Sequence, residues 1–312
     1  MTQAQQPSYM KWLPPSAMAT ISRCELFGRT MKMGFISGRH RSPKKGNSVE
    51  FAEHRQYMPG DDLRTLDWKV LGRKNRLYIR QYEEESNLRT TILLDCSGSM
   101  GFDGSYAAKQ DGQTLTKFDY ARYLTAALTF MLTGQQDAVG LVLYDSKMRT
   151  YLPAKSSAAQ MRLILETLDK TKVGGETDPA PTLNQIAERI PSRGLIIIIS
   201  DLLSPDTEAL IKALHHFHYR RHEIIVCHVL AEEEVSFNFD GHVHFENLEG
   251  PEDLLIDAKS IRAGYLEQVN AFLKKVSDGV RKMNADYVPL NTKIPFDKAL
   301  VDYLARRRSG SR

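Results

Sequence analysis

One short stretch of the sequence places a carboxylate and two hydroxyls on alternate residues. Residues 91–100 read TILLDCSGSM, so Asp95, Ser97 and Ser99 directly follow a β-prone apolar run. These three side chains offer only oxygen, which hard divalent cations such as Mg²⁺ prefer, whereas nitrogen and sulfur attract zinc. The spacing therefore predicts a divalent-metal site.

The elements around this stretch indicate how further ligands could reach it. The run before Asp95 is typical of a buried parallel strand that opens into a loop. A second apolar strand at residues 195–199 is followed shortly by Asp201, and Thr177 lies in the Gly-rich loop 174–178 before a predicted helix. In a doubly wound sheet, such loops gather on one rim. We therefore expect Asp95, Thr177 and Asp201 to converge.

Strands that alternate with helices predict the fold class. Over residues 90–312 the pattern favours an α/β domain of Rossmann type, with a doubly wound, mostly parallel sheet covered by helices on both faces. We assign residues 1–89 to a separate N-terminal part. It comprises a polar leader to about Ser16, a helix over about 17–33 and a small β-rich module with a strand near residues 77–82.

The oxygen-bearing residues resemble a known constellation. D-x-S-x-S, a distant threonine in a Gly-rich loop and a later strand-ending aspartate are similar to the metal-ion-dependent adhesion site of von Willebrand factor A domains. In that family two serines bind the cation directly, the threonine binds directly or through water, and both aspartates act mostly through bridging water. The resemblance assigns these roles, with Mg²⁺ as the cation and Mn²⁺ or Ca²⁺ as alternatives, to Ser97, Ser99, Thr177, Asp95 and Asp201. Leu202 departs from the pattern, because many adhesion domains carry glycine there.

The chemistry of such a site favours binding over turnover. Direct ligands that are mostly neutral hydroxyls leave the cation much of its charge, so its open position attracts an anionic oxygen. We expect a partner or client protein to supply an Asp or Glu carboxylate. The alternative for the same residues is an ordinary strand-to-loop turn in which Ser, Thr and Asp cap a turn or a helix.

Upstream of the motif, a run rich in rare residue types resembles the signature of the family called domain of unknown function 58. With the D-x-S-x-S strand, the resemblance covers about residues 38–201. The run comprises Phe51, Arg55, Tyr57, Pro59, Gly60, Asp61, Asp62, Arg64, Asp67, Trp68, Arg73 and Arg80. The family implies a cytoplasmic protein with this A-type domain, commonly encoded beside MoxR-type AAA+ ATPases and thought to act with them in chaperone-like or metal-insertion tasks.

Part of this run forms the cluster Gly60-Asp61-Asp62-Arg64-Asp67-Trp68. We interpret it as an internal network of ion pairs and backbone hydrogen bonds, with Trp68 as a core anchor. A second interaction surface is the alternative.

Composition narrows the range of partners. The net charge of +4 divides into +7 over residues 1–89, from 16 basic and 9 acidic residues, and −3 over the remainder, from 26 and 29. The basic residues alternate with acidic ones, so we do not expect nucleic-acid binding. No apolar run reaches the roughly 18 residues of a membrane helix, so we expect a cytoplasmic protein without membrane insertion.

The functional prediction is a non-enzymatic, cation-dependent protein-interaction module, acting as an adaptor or co-chaperone with a MoxR-type AAA+ ATPase. The sequence contains no G-x-x-x-x-G-K-[ST] loop, which argues against ATP hydrolysis by the chain itself. Neither Ser97 nor Ser99 lies in a G-x-S-x-G elbow. A metal-dependent hydrolase or phosphoesterase that uses Asp95, Ser97 and Ser99 is the alternative.

Overall fold

The computed structural model describes residues 8–26, 50–57, 67–74, 77–83, 88–110, 112–175, 178–249 and 253–309. These residues fall into two compact units. The smaller unit belongs to residues 27–88, and the larger unit combines the chain up to Leu26 with the chain from Arg89 onward.

The helices and strands of the described residues are as follows. The strands are β1 (Glu50–Gln56), β2 (Tyr78–Glu83), β3 (Arg89–Asp95), β4 (Lys109–Gln110), β5 (Gln113–Thr114), β6 (Ala138–Tyr144), β7 (Met148–Lys155), β8 (Leu195–Ser200), β9 (Glu223–Leu230), β10 (His242–Glu246), β11 (Asp253–Asp257) and β12 (Asp286–Asn291). The α-helices are α1 (Pro15–Ile21), α2 (Trp68–Lys74), α3 (Lys117–Gly134), α4 (Ala158–Lys170), α5 (Pro179–Arg189), α6 (Thr207–Tyr219), α7 (Glu232–Ser236), α8 (Ala258–Lys282) and α9 (Phe296–Ser309). Short 3-10 helices span Ser8–Trp12 and Gly98–Gly101.

A six-stranded sheet organises the larger unit. Its order is β12-β9-β8-β3-β6-β7, with every neighbouring pair parallel except the antiparallel edge pair of β6 and β7. Helices α5, α6 and α8 pack on one face, and α3 and α4 pack on the other. The predicted α/β architecture with a mostly parallel sheet is confirmed.

The central strands carry apolar runs because both faces of the sheet are covered. Ile92, Leu93 and Leu94 of β3 are fully buried, and so are Ile198 and Ile199 of β8. From β3 the chain crosses to β6 on one side, and it later returns to β8 on the other. The carboxyl ends of β3 and β8 therefore flank the switch point of the sheet, where open α/β folds bind ligands.

The N-terminal residues differ from the predicted leader. The segment Ser8–Trp12 is helical, and Trp12 is buried with its ring edge-to-face on Tyr123 at 5.1 Å. Its Nε1 donates to Asp169 Oδ1 at 3.2 Å. The prediction of a leader was wrong here because Trp12 packs against residues that are far away in the sequence, Tyr123 and Asp169. Helix α1 covers only the start of the helix predicted over 17–33: it ends at Ile21, residues 22–26 are not helical, and residues 27–33 lie outside the described part.

The smaller unit contains the antiparallel pair of β1 and β2, with a register irregularity between Phe51 and Glu53. The strand predicted near residues 77–82 is confirmed as β2. Asp67 precedes α2, and its Oδ1 accepts a hydrogen bond from the Val70 amide at 3.3 Å. Trp68 is 67% exposed, so the core-anchor interpretation was wrong: it opens α2 with most of its ring in solvent. The cluster residues from Gly60 to Arg64 lie outside the described residues.

Across the described ranges, no helix is both long enough and apolar enough to cross a membrane.

Candidate cation site

The predicted metal residues lie at the carboxyl ends of the two central strands. Asp95 is the last residue of β3, and Ser97 and Ser99 follow in the turn that becomes the 3-10 helix Gly98–Gly101. Asp201 directly follows β8, the neighbour of β3 in the sheet. Asp95, Ser97 and Asp201 are each no more than 1% exposed. The sheet thus brings together, at one rim, the residues that the sequence assigned to separate strand ends.

Asp95 is a buried carboxylate held by neutral donors. Its Oδ1 accepts from the Ser97 amide at 2.9 Å, and its Oδ2 accepts from the Ser200 hydroxyl at 2.6 Å. Burial, and after it the negative charge of Asp201, raises the pKa of Asp95 to about 6. A nearby cation would favour the ionised form and offset this cost.

The two serine hydroxyls lie side by side. Ser97 Oγ and Ser99 Oγ are 3.1 Å apart. Neighbouring oxygens around an octahedral Mg²⁺ lie about 3.0 Å apart, because each Mg–O bond is about 2.1 Å. A separation of 3.1 Å therefore suits two adjacent ligands of one ion. Without an ion, the two hydroxyls form a hydrogen bond with each other.

Asp201 is paired with a buried lysine that the sequence analysis did not single out. Lys117, the first residue of α3, is 1% exposed, and its Nζ lies 2.7 Å from Asp201 Oδ2 and 2.6 Å from Glu234 Oε1. Burial acts to raise the pKa of Asp201, but the Lys117 ammonium and hydrogen bonds from Lys117, Ser99 and Leu203 outweigh it, so the pKa lies below its usual range. Burial likewise acts to lower the pKa of Lys117, yet the two carboxylates raise it.

The backbone after Asp201 adopts a conformation that suits glycine. Leu202 has φ of 55°, in the left-handed region, and its side chain is 1% exposed. Its amide donates to Ser200 Oγ at 2.8 Å, which joins this turn to the Asp95 carboxylate. Leucine at position 202, where many adhesion domains have glycine, therefore keeps the turn. The leucine must adopt a left-handed backbone conformation, which is unfavourable for a residue with a side chain.

Thr177 lies outside the described residues, but the loop that leads to it reaches the motif. The Gly98 amide donates to the Gly175 carbonyl at 3.1 Å, and the Gly174 amide donates to the Cys96 carbonyl at 3.1 Å. Arg149 holds the same loop by donating to the carbonyls of Lys172 and Gly174. Three separate chain segments thus meet at the D-x-S-x-S turn.

A fourth segment covers the turn. The Ser99 amide donates to Glu249 Oε1 at 3.0 Å. A Cβ placed on Gly98 would lie 2.6 Å from the Leu248 carbonyl oxygen and 2.9 Å from Glu249 Cγ. The backbone at Gly98 therefore approaches the segment after β10 more closely than any side chain would allow.

The residues at this rim fit a divalent cation. Lys117 has two carboxylate partners, Asp201 and Glu234, so these three groups carry one net negative charge, which an added cation would offset. The described residues contain no group of three His, Cys, Asp or Glu side chains able to hold a metal. A site in this place would depend on the Ser97 and Ser99 hydroxyls, as an oxygen-only Mg²⁺ site with few charged ligands does.

A family model described as "Protein of unknown function DUF58" matches residues 53–273, which is more than half of the chain. The chain belongs to this family. The matched range includes the site residues on β3, on the turn after it and after β8, as well as Lys117 and Glu234.

Two mycobacterial relatives of this DUF58 chain match along nearly its whole length. The "Uncharacterized protein Rv1480" of Mycobacterium tuberculosis and the "Uncharacterized protein Mb1516" of Mycobacterium bovis are each 26% identical over 303 residues, covering 95% of this chain and 92% of the relative. Solved structures match less closely. BatB from Bacteroides thetaiotaomicron has a TM-score of 0.40 at 13% identity, and an aerotolerance-related membrane protein from Bacteroides fragilis has 0.44 at 16%; each match covers 70% of this chain and 100% of the other.

Several residues of this site were not predicted from the sequence. The acidic run Glu232 to Glu234 is typical of a surface loop, but these residues form α7, with Glu233 buried and Glu234 paired to Lys117. A signal for Lys117 was present: a lysine at the first position of a helix opposes the helix dipole and needs a carboxylate partner. Glu249 carried no such signal, because a surface acid after a hairpin strand is common.

Proposed function

We propose that this chain is a non-enzymatic, Mg²⁺-dependent protein-binding module whose D-x-S-x-S rim takes a carboxylate from a partner protein. The observation that carries the proposal is the pair of Ser97 and Ser99 hydroxyls, 3.1 Å apart, beside the buried carboxylates Asp95 and Asp201. Within this proposal the larger unit is a von Willebrand factor A-like domain.

Each residue of the site has a distinct role in this proposal. Ser97 and Ser99 would hold the cation directly, Thr177 would add a third hydroxyl, and Asp95 and Asp201 would accept hydrogen bonds from its bound waters. Lys117 neutralises Asp201, so the cation would keep a larger share of its own charge. A cation held in this way attracts an external Asp or Glu carboxylate.

We further propose, from the family resemblance, that the partner is a MoxR-type AAA+ ATPase or a client that this chain presents to it. An adaptor of this kind needs no turnover of its own. This proposal differs from the metal-dependent phosphoesterase alternative in one testable respect: the rim binds a partner protein but does not cleave a phosphate ester.

Affinity capture tests the function. The full chain would be immobilised and exposed to lysate of its own organism with Mg²⁺ or with EDTA, and the retained proteins identified. We expect an AAA+ ATPase or its client to be retained by wild type with Mg²⁺ and lost with EDTA or with Ser97→Ala. Ser156→Ala, at an exposed serine after β7, is the matched control and should retain the partner.

Equal recovery of the partner under all these conditions would refute the cation bridge. The same preparations should not hydrolyse p-nitrophenyl phosphate with Mg²⁺. Turnover that disappears with Ser97→Ala would instead favour the phosphoesterase alternative.

A further inference from the structure

The segment after β10 brings a carboxylate of the chain itself to the proposed cation site. Strand β10 ends at Glu246, and Glu249 follows shortly after it. The Oε1 atom of Glu249 accepts a hydrogen bond from the Ser99 amide at 3.0 Å. Since the Ser99 hydroxyl would bind the cation directly, the Glu249 carboxylate adjoins the position that a partner's carboxylate would need.

The local backbone holds Glu249 over the D-x-S-x-S turn. Asn247 Oδ1 accepts from the Glu249 amide at 2.9 Å, an Asx turn that orients residue 249. A Cβ on Gly98 would lie 2.9 Å from Glu249 Cγ, so the glutamate side chain crosses directly above the bare backbone of Gly98. Glu249 is accordingly half-buried rather than extended into solvent.

The same segment has few buried contacts that would hold it in place. Strands β10 and β11 form a two-stranded sheet of their own, with no hydrogen-bonded neighbour among the described strands of the six-stranded sheet. Glu246 and Asn247 are exposed, and Leu248 is 49% exposed. Residues 246–249 also line a cavity of about 540 Å³ that reaches Ser99 and Lys117. Segments with so little buried contact open locally at low cost in free energy.

The chemistry of the carboxylate suits the open position of a cation at this site. A divalent ion held mainly by neutral hydroxyls attracts an anionic oxygen. A carboxylate has two oxygens, so Glu249 can accept from the Ser99 amide with one and bind an ion with the other. A tethered ligand of this kind acts at an effective concentration of about millimolar, so it competes with a free carboxylate.

We propose that Glu249 occupies the open position of the cation until an Asp or Glu carboxylate of the partner protein displaces it. This inference rests on the proposed function, because it concerns the regulation of the same cation site. The closed state would stabilise the bound ion and lower the affinity for the partner. Displacement of Glu249 would release the segment after β10 from the D-x-S-x-S turn.

Mn²⁺ bound to the full chain provides the test. Free Mn²⁺ is measured by electron paramagnetic resonance, which gives the affinity of the site. Each carboxylate that binds the ion replaces a bound water and lowers the relaxation rate of the solvent protons. The carboxylate probe is acetyl-glutamate methylamide, and its neutral counterpart is acetyl-glutamine methylamide.

Glu249→Gln keeps an oxygen acceptor for the Ser99 amide but removes the anionic ligand. We expect this variant to bind Mn²⁺ about tenfold more weakly than wild type. Once loaded with Mn²⁺, it should relax solvent protons faster, because water fills the vacated position. Acetyl-glutamate methylamide should lower that rate at a concentration about tenfold lower than wild type requires. Acetyl-glutamine methylamide should have no effect on either protein.

Glu246→Gln is the matched control, since it removes a negative charge from another exposed residue of the same cavity wall. We expect it to behave like wild type in every measurement. An effect equal to that of Glu249→Gln would overturn the proposal, because any nearby charge would then suffice. The proposal also fails if Glu249→Gln matches wild type, since Glu249 would then only cap the 3-10 helix Gly98–Gly101.

The outcome for wild type separates this proposal from the proposed function. If wild type binds no Mn²⁺, or if binding survives in a variant combining Ser97→Ala with Ser99→Ala, the cation site and the role of Glu249 both fail. If that binding is confirmed and only the Glu249→Gln result is contradicted, the cation site stands and the role of Glu249 falls.

Discussion

At the scale of single residues, Lys117 is a buried ammonium that provides the positive charge for two carboxylates, Asp201 and Glu234. Lys117→Met keeps the length and apolar stem of the side chain but leaves the buried Asp201 and the half-buried Glu234 without their cation. We expect a loss of about 3–5 kcal/mol in the free energy of unfolding, measured by urea denaturation. Lys274→Met, at an exposed position on α8, should change it by no more than about 0.5 kcal/mol. Equal effects of the two substitutions would show that the Lys117 pairs contribute nothing.

Asp95 makes stability depend on pH in a definite direction. Its pKa is raised from 3.8 to about 6 in the folded chain, so between these values the folded state binds more protons than the unfolded state. The contribution of Asp95 therefore favours the folded state below about pH 4 and is lost as pH rises through 6, a change of about 3 kcal/mol.

Urea unfolding in EDTA at several pH values, for wild type and Asp95→Asn, measures this contribution as the difference between the two profiles. Asp201 has the opposite trend in both proteins, since its lowered pKa contributes stability that is lost on acidification, and Asp95→Asn also removes the negative charge through which the two carboxyls are coupled. Mg²⁺ should reduce the loss of stability that wild type shows as pH rises, and it should leave the profile of Asp95→Asn unchanged. Parallel profiles for the two proteins would contradict the raised pKa.

At the scale of elements, the segment after β10 rests on the D-x-S-x-S turn only because residue 98 is glycine. Gly98→Ala would place a methyl group 2.6 Å from the Leu248 carbonyl oxygen, so the covering segment must move. We expect a loss of about 1–3 kcal/mol and faster hydrogen exchange of the Ser99 amide, which now donates to Glu249.

Gly264→Ala is the matched control for Gly98→Ala. Gly264 lies within α8 with no heavy atom near the added methyl, so alanine there should stabilise by about 0.5–1 kcal/mol. Unchanged exchange at Ser99 in Gly98→Ala would show that the close approach does not hold the covering segment in place.

The elements that the sequence predicted well are those with a local signal. Strands β3 and β8 contain the apolar runs 92–94 and 195–199 because both faces are covered, and the hydroxyl and carboxylate at the end of each run mark the rim. Helix α7 was missed because its acidic residues look solvent-exposed unless Lys117, 117 residues away from Glu234, is known to lie against them. The docking of Trp12 on Asp169 is equally non-local, at a separation of 157 residues.

At the scale of the whole molecule, the chain enters the larger unit twice, first with residues 8–26 and again from Arg89. Trp12 is one anchor of residues 8–26, since it is buried against Tyr123 and bonded to Asp169. We expect Trp12→Ala to cost about 3–5 kcal/mol, measured by urea unfolding followed by circular dichroism.

The other tryptophan provides the control. Trp68 is 67% exposed, so Trp68→Ala should change the unfolding free energy by about 0.5 kcal/mol or less. If Trp12→Ala were as mild as Trp68→Ala, the contacts of Trp12 would not contribute to the stability of the larger unit.

The most direct test of the cation site is a titration with Mn²⁺, which shares the preference for oxygen ligands and broadens nearby NMR signals. We expect one equivalent to broaden selectively the amide signals of residues 95–100 and 200–203, Mg²⁺ to reverse the effect, and a variant combining Ser97→Ala with Ser99→Ala to lose it. Broadening that is absent from these residues, or that persists unchanged in the double variant, would contradict a cation held by the two hydroxyls.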